Sequence, residues 1–195
     1  MNQKKKIPLN SIAVLDKGYV SLHSACPSNE QIKKLRYDFL RGQLSDQLLI
    51  SSYLNIQIKC PLFVQLNLAN HLLHITTNKN RQELSAYIPD LSDIAGKDLQ
   101  TNQDILNNIE QTTEALLLNP RAYQADGCDM FIAQILSPIN IYNECLVSGT
   151  LQQWLMFVKQ RNLPAPIEQY RRAIEEIIWA EWSEIEELLE RTVNG

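Results

Sequence analysis

Glycine is scarce in this chain, with six in 195 residues, and none falls in a phosphate-cradling loop or a dinucleotide fingerprint. Cysteine is equally thin. Cys26, Cys60, Cys128 and Cys145 stand far apart with no C-x-x-C spacing, which argues against a zinc site or a redox pair. Isolated cysteines of this kind are small buried hydrophobes in a reducing compartment. No window approaches the roughly 20 consecutive apolar residues of a membrane span. The N-terminus is polar, unlike a secretory leader, so a cytoplasmic protein with no membrane association is the expectation. Positive charge is also in short supply. The net charge of −4 excludes the dense basic face that nucleic-acid polymers require, and the only basic cluster, Lys4-Lys5-Lys6, reads as a solvated terminus. Internal repeats, low-complexity linkers and a Ser-His-Asp order are missing as well.

What remains is an ordinary globular composition, 45% hydrophobic and 21% charged, with length for one substantial core. A single domain over 1–195 is expected. Ile12 to His23 reads as a strand pair or a bent strand, with Asp16-Lys17-Gly18 supplying turn chemistry. Ser28 is placed to cap a helix with Ile32, Leu35 and Phe39 on one face. From Ser52 to Lys59 apolar residues alternate, with Leu54, Ile56 and Ile58 on one side, as in a half-buried strand. Leu62 to Leu73 fits both periods, and Pro61 before it favours a helix. On that helix His71 and His74 share a face, but no carboxylate stands at a matching spacing and no metal is expected.

Thr76 to Asp104 is turn-rich and reads as a long loop. Thr101 or Asn102 then caps a helix to about Leu118, with Ile105, Ile109, Thr112 and Leu116 as its inward stripe. Another helix starts near Asp126 or Asp129. A strand from Ile139 to Val147 follows, ended by Gly149. Thr150 caps a helix whose Leu151, Trp154, Leu155 and Val158 face inward, broken by Pro164 and Pro166. The last helix runs from about Pro166 to Arg191. Its buried stripe is Ile167, Tyr170, Ile174, Ile178, Trp182, Ile185 and Leu189, and its outer face is acidic. Trp154, Trp179 and Trp182 fall on or beside these stripes and read as core or subunit contacts, not cofactor stacking.

Three blocks share a pattern. Asp16-Lys17-Gly18-Tyr19-Val20 leads to Lys33, Arg36 and Phe39. Lys59-Cys60-Pro61-Leu62-Phe63-Val64 opens the next helix. Ala133, Ile135, Pro138, Asn140, Tyr142, Phe157, Arg161, Gln169 and Tyr170 keep step through the last third. These blocks resemble, in order, the D-K-G-F-V start, the K-A-P-I-F-V segment and the A-R-I-V-L-P-L-N-L-Y strand of the flavin-dependent thymidylate synthases. The resemblance implies an α+β fold, a small mixed or antiparallel sheet packed with several helices. It also implies a homotetramer with flavin sites between subunits, and FAD with methylenetetrahydrofolate as the one-carbon donor to dUMP. In that family arginines grip the nucleotide, because no cysteine attacks the pyrimidine ring and a planar guanidinium offers two hydrogen bonds at fixed geometry.

Carried over by position, the family's R-H-R triplet lands on Asn70-His71-Leu72, where only the histidine survives. Asn70 and His71 are the cofactor-binding candidates. Glu83-Leu84-Ser85-Ala86-Tyr87 resembles E-L-S-G-R-Y without its arginine, making Glu83 and Ser85 nucleotide-binding candidates. Gln134 replaces the arginine of the A-R-I-V-L-P segment, and Arg161 matches the arginine of the nucleotide loop. The histidine of that loop and the family's H-x-T-P-F-E-H segment have no counterpart. Three lost arginine contacts would weaken nucleotide binding by about 5–9 kcal/mol, roughly three to six powers of ten, without compensation. Lys79, Arg81 and Lys159 restore charge but not the fork. Two expectations follow. One is a flavin-dependent methyl- or hydroxymethyltransferase acting on dUMP or a related pyrimidine nucleotide. The other is a catalytically inactive homologue kept as a nucleotide-binding or regulatory subunit.

Overall fold

A computed structural model describes residues 10–27, 49–71, 73–77, 85–94, 98–126 and 138–182. The turn at Asp16-Lys17-Gly18 joins β1 (Ser11–Val14) to β2 (Gly18–Cys26), with Val14 opposite Gly18. β3 (Tyr53–Pro61) pairs antiparallel with β2, and β5 (Tyr142–Thr150) covers its other side along its full length, from Tyr53 opposite Thr150 to Pro61 opposite Tyr142. β4 (His74–Thr77) pairs with the outer edge of β5. The result is a five-stranded antiparallel sheet in the order β1-β2-β3-β5-β4. With α1 (Leu62–Ala69), α2 (Leu99–Ala125), α3 (Leu151–Val158) and α4 (Ala165–Glu181), this is the α+β class the sequence implies.

The two faces of the sheet differ because side chains alternate along each strand. Val20, Leu54, Ile56, Ile58, Cys60, Cys145 and Val147 share the face covered by α3 and α4, where Trp154, Phe157, Tyr170, Ile174 and Trp182 are buried. Trp154 donates its Nε1–H to the Leu54 carbonyl at 3.0 Å, so this indole belongs to the core, as does Trp182. α3 starts where its sequence says it should. The Thr150 hydroxyl accepts from the Gln153 amide at 3.2 Å, and the Gln153 side chain accepts from the Thr150 amide at 2.8 Å, a reciprocal cap. The other face of the sheet carries Tyr19, Asn55, Gln57, Lys59, Glu144 and Ser148, and is polar.

Several sequence expectations need correction. The helix from Leu62 stops at Ala69, and His74 begins β4, so His71 and His74 do not share a helix face. The expected loop from Thr76 to Asp104 holds the end of β4, a 3-10 turn at Leu91–Asp93 and the first turn of α2. α2 begins at Leu99, because the Asp98 carboxylate accepts the Thr101 amide at 2.8 Å and does the capping. It runs to Ala125, beyond the expected stop near Leu118. Its buried position among the described side chains is Thr113, while Ile105 and Thr112 are exposed, since few of the described residues pack against it. β5 starts at Tyr142 and passes through Gly149. That glycine does not end the strand; a β-carbon there would collide with the Leu73 side chain. The helix after Ser28, the one near Asp126 or Asp129, and the last helix beyond Trp182 lie outside the described residues. Among the described residues no helix is long and apolar enough to cross a membrane.

Candidate functional site

The blocks that carry the family pattern meet in space. The chain leaves β3 at Pro61 and enters α1, whose first amides seek acceptors outside the helix. Leu62 N–H donates to the Ile141 carbonyl and Phe63 N–H to the Ile139 carbonyl, both at 3.0 Å. On the other side of the same segment Tyr142 N–H donates to the Ser85 carbonyl at 2.7 Å, and Tyr87 N–H to the Asn140 carbonyl at 2.9 Å. Residues 138–142 are thus gripped between the start of α1 and residues 85–87. Asn140 closes the knot: its amide donates to the Tyr87 carbonyl at 2.8 Å and to the Thr113 hydroxyl of α2 at 3.1 Å.

Polar groups gather at this junction. The Tyr142 hydroxyl donates to Asp16 at 2.6 Å, which brings the first block to the other two, and Lys59 Nζ stands 5.7 Å from the Tyr142 ring centre. The Tyr87 hydroxyl donates to Asp93 at 3.1 Å. Burial first, and the neighbouring carboxylates second, push both phenols up, so each stays protonated and can donate. The Ser85 hydroxyl is buried with no hydrogen-bond partner among the described residues.

A second cluster sits at the far end of α1, whose eight residues span about 12 Å. His71 follows its C-terminus and meets Phe157 of α3 edge to face at 5.6 Å. Its Nε2 is buried without a well-formed hydrogen bond, as is Gln160 Oε1 nearby. Burial pushes the imidazole pKa down, opposed by Gln160, so it is neutral at pH 7 and offers one donor and one acceptor. Arg161 lies one residue beyond Gln160 and is exposed. Its NH1 makes only long contacts, 3.5 Å to the Val158 carbonyl and 3.4 Å to the Gln160 carbonyl, and no described carboxylate pairs with it.

The structure therefore sets His71 against Phe157 and Gln160, the residue before Arg161, with Asn70 exposed, and sets Ser85 at the opposite end of α1. Glu83 and Gln134 lie outside the described residues. Sequence reasoning missed the polar face of the sheet. There Gln57 donates to Glu144 at 2.6 Å and to the Tyr19 hydroxyl at 3.2 Å, tying three strands together beside an open cavity of about 410 Å³ also lined by His23, Thr76 and Leu146. The outward half of the β3 alternation was the available signal. Its pairing with Glu144 depends on a register set 87 residues away.

No family model matches this sequence, and no curated protein matches it. A solved structure does share the fold: a UMP/dUMP methylase, PolB, from Streptomyces cacaoi, bound with 5-Br UMP. The two superpose with a TM-score of 0.71 over 92% of this chain and 96% of that one, at 13% sequence identity. At that identity the likeness is one of backbone architecture.

Proposed function

We propose that this protein is a one-carbon transferase acting on a uridylate, dUMP or UMP, and a diverged member of the flavin-dependent thymidylate synthases. The observation that carries the reading is the convergence of the family-like segments on residues 138–142: residues 62–63 and 85–87 join them through four backbone hydrogen bonds of 2.7–3.0 Å, and Asp16 of the first block through the Tyr142 hydroxyl at 2.6 Å. A solved protein of the same fold whose name states UMP/dUMP methylation supports the choice of substrate class. Arg161 would take the phosphate, with Ser85, Glu83 and Gln134 as further nucleotide contacts. His71 and Asn70 would hold FAD. His71 fits that assignment in being a neutral imidazole, able to donate to or accept from a polar heterocycle. The flavin, when bound, would supply hydride chemistry, with methylenetetrahydrofolate as the one-carbon source. In a homotetramer the two ends of α1 would complete sites with other subunits.

A second reading rests on a specific observation. Of the arginines with described side chains, Arg171 and Arg172 are committed to Glu168, which leaves Arg161 alone for an anion. One uncommitted guanidinium among the described arginines, together with the residues that replace the R-H-R and A-R-I-V-L-P arginines, suits a catalytically inactive homologue that binds nucleotide or a partner. One experiment separates the two. The visible spectrum is recorded with added FAD, and release of tritium from C5 of labelled dUMP and UMP is then measured. Flavin uptake with tritium release supports the enzyme. A colourless protein that releases none sinks it and leaves the inactive homologue.

A further inference from the structure

Arg171 is the buried charge of α4, only 7% exposed. Its Nε and NH2 grip both oxygens of Glu168 at 2.7 and 2.9 Å, and its NH1 donates to Glu175 at 2.9 Å. The same NH1 also donates to the Val158 carbonyl at 3.0 Å. Val158 is the last residue of α3, and its carbonyl is among those a helix end leaves without an internal partner. Arg161 reaches that same carbonyl only weakly, at 3.5 Å. Between the two helices the chain turns at Asn162, whose φ of 58° lies in the left-handed region, and re-enters a helix at Ala165. Four of the five guanidinium N–H groups are thus used: three orient Arg171 on α4 through Glu168 and Glu175, and one crosses to the end of α3, where the segment of residues 159–164 begins.

We propose that Arg171 is a positioning residue for Arg161: it holds the end of α3 so that the Arg161 guanidinium is presented to an anionic ligand. This inference rests on the reading in which Arg161 takes the phosphate of a uridylate. Arg171 does not touch the ligand, because its own donors are consumed inside the protein. Glu168 and Glu175 complete the device by orienting Arg171. A lysine at 171 would keep the charge and reach one acceptor, but could not hold two carboxylates and a carbonyl at once.

The test is dUMP and UMP binding by calorimetry on the full chain with FAD added, alongside the thermal midpoint, for wild type, Arg171→Lys, Arg161→Ala and the double variant. Arg171→Lys is expected to weaken nucleotide binding about tenfold when Arg161 is present and less than about twofold when it is absent. Glu175→Gln removes one anchor and keeps the Glu168 fork, so it covers the case in which Arg171→Lys fails to fold. Its expected loss is about threefold and again requires Arg161. A wild-type protein that binds neither nucleotide overturns the uridylate reading and this inference together. Wild-type binding with unchanged affinity in both anchor variants, or with the same loss in both Arg161 backgrounds, overturns the positioning role alone.

Discussion

The Tyr170 hydroxyl donates to the Lys59 carbonyl at 2.8 Å, in the space a side chain on Gly18 would occupy. Burial pushes this phenol far up, so it remains a donor at any pH the fold meets. Gly18 is needed there for room. A β-carbon would collide with the hydroxyl and stand 2.7 Å from the Val14 carbonyl and 2.8 Å from the Lys59 carbonyl, and neither backbone atom can swing away. Gly18→Ala is therefore expected to destabilise by about 3 kcal/mol or more, combining overpacking with loss of a buried hydrogen bond. Urea denaturation checks this. A midpoint within error of wild type would mean that α4 does not lie on Gly18.

Acid should loosen the joint between α3 and α4. The hydrogen bonds from Arg171, with help from Arg172, hold the Glu168 carboxyl down to about 2 from its ordinary 4.5. A carboxylate depressed by folding contributes stability that is present above the unfolded pKa and is lost as pH falls from there through the folded value. The window is thus about 4.5 down to about 2. The pair is partly exposed, so solvent screening leaves a contribution of about 1–2 kcal/mol. Glu168→Gln should cost that much at pH 7 and show a flatter stability profile than wild type below pH 4.5. Parallel profiles for the two proteins would refute the assignment.

Much of the sheet is legible from local pattern. The alternation at Leu54, Ile56 and Ile58 and the turn at Asp16-Lys17-Gly18 are short-range signals, and the strands formed where these put them. Features that depend on distant partners are not legible in this way. Gly149 resembles a strand terminator until Leu73 is placed against it. Arg171 resembles a solvated charge until the end of α3 arrives to claim it. In the candidate site, the resemblance alone singles out His71 and Arg161. The grip of residues 85–87 on residues 140–142 is a long-range pairing with no local signature. α2 is misread for a related reason: apolar residues at helical spacing show which way a face points only when something in the same chain covers it.

Asn140 holds two elements with one amide. Replacing it by aspartate would keep the size and remove the donor, leaving the Tyr87 carbonyl facing a carboxylate. Asn140→Asp should cost about 2–3 kcal/mol at neutral pH and recover part of that as the new carboxyl protonates. Thermal midpoints at pH 7 and pH 4 read the difference. Equal destabilisation at both values would mean that the donation to Tyr87 is not what the asparagine supplies.

The three described cysteines divide by burial. Cys26 is exposed, whereas Cys60 and Cys145 are buried on the core face of the sheet, where burial, then Cys145, pushes the Cys60 thiol well up. Reaction with a charged thiol reagent needs both access and thiolate. Native protein should therefore be modified at Cys26 first, with Cys60 and Cys145 labelled only on unfolding, as peptide mass mapping would show. Labelling of Cys60 as fast as Cys26 would contradict the packing of α4 on the sheet.

Arg161 and Arg172 provide the sharpest contrast for function. Both are exposed, but Arg172 donates to Glu168 at 2.9 Å, while Arg161 makes only long contacts to two carbonyls. Among the described residues the Arg161 charge has no carboxylate to give up before it meets an anion. Arg161→Ala should remove most of the nucleotide affinity, about 1.5–3 kcal/mol or 10–150-fold, and change stability by less than about 0.5 kcal/mol. Arg172→Ala should leave nucleotide affinity where it was. Titration of both variants with dUMP, beside their thermal midpoints, decides the matter. If Arg161→Ala binds as tightly as wild type, or if the two variants lose affinity equally, Arg161 is not the group that grips the phosphate.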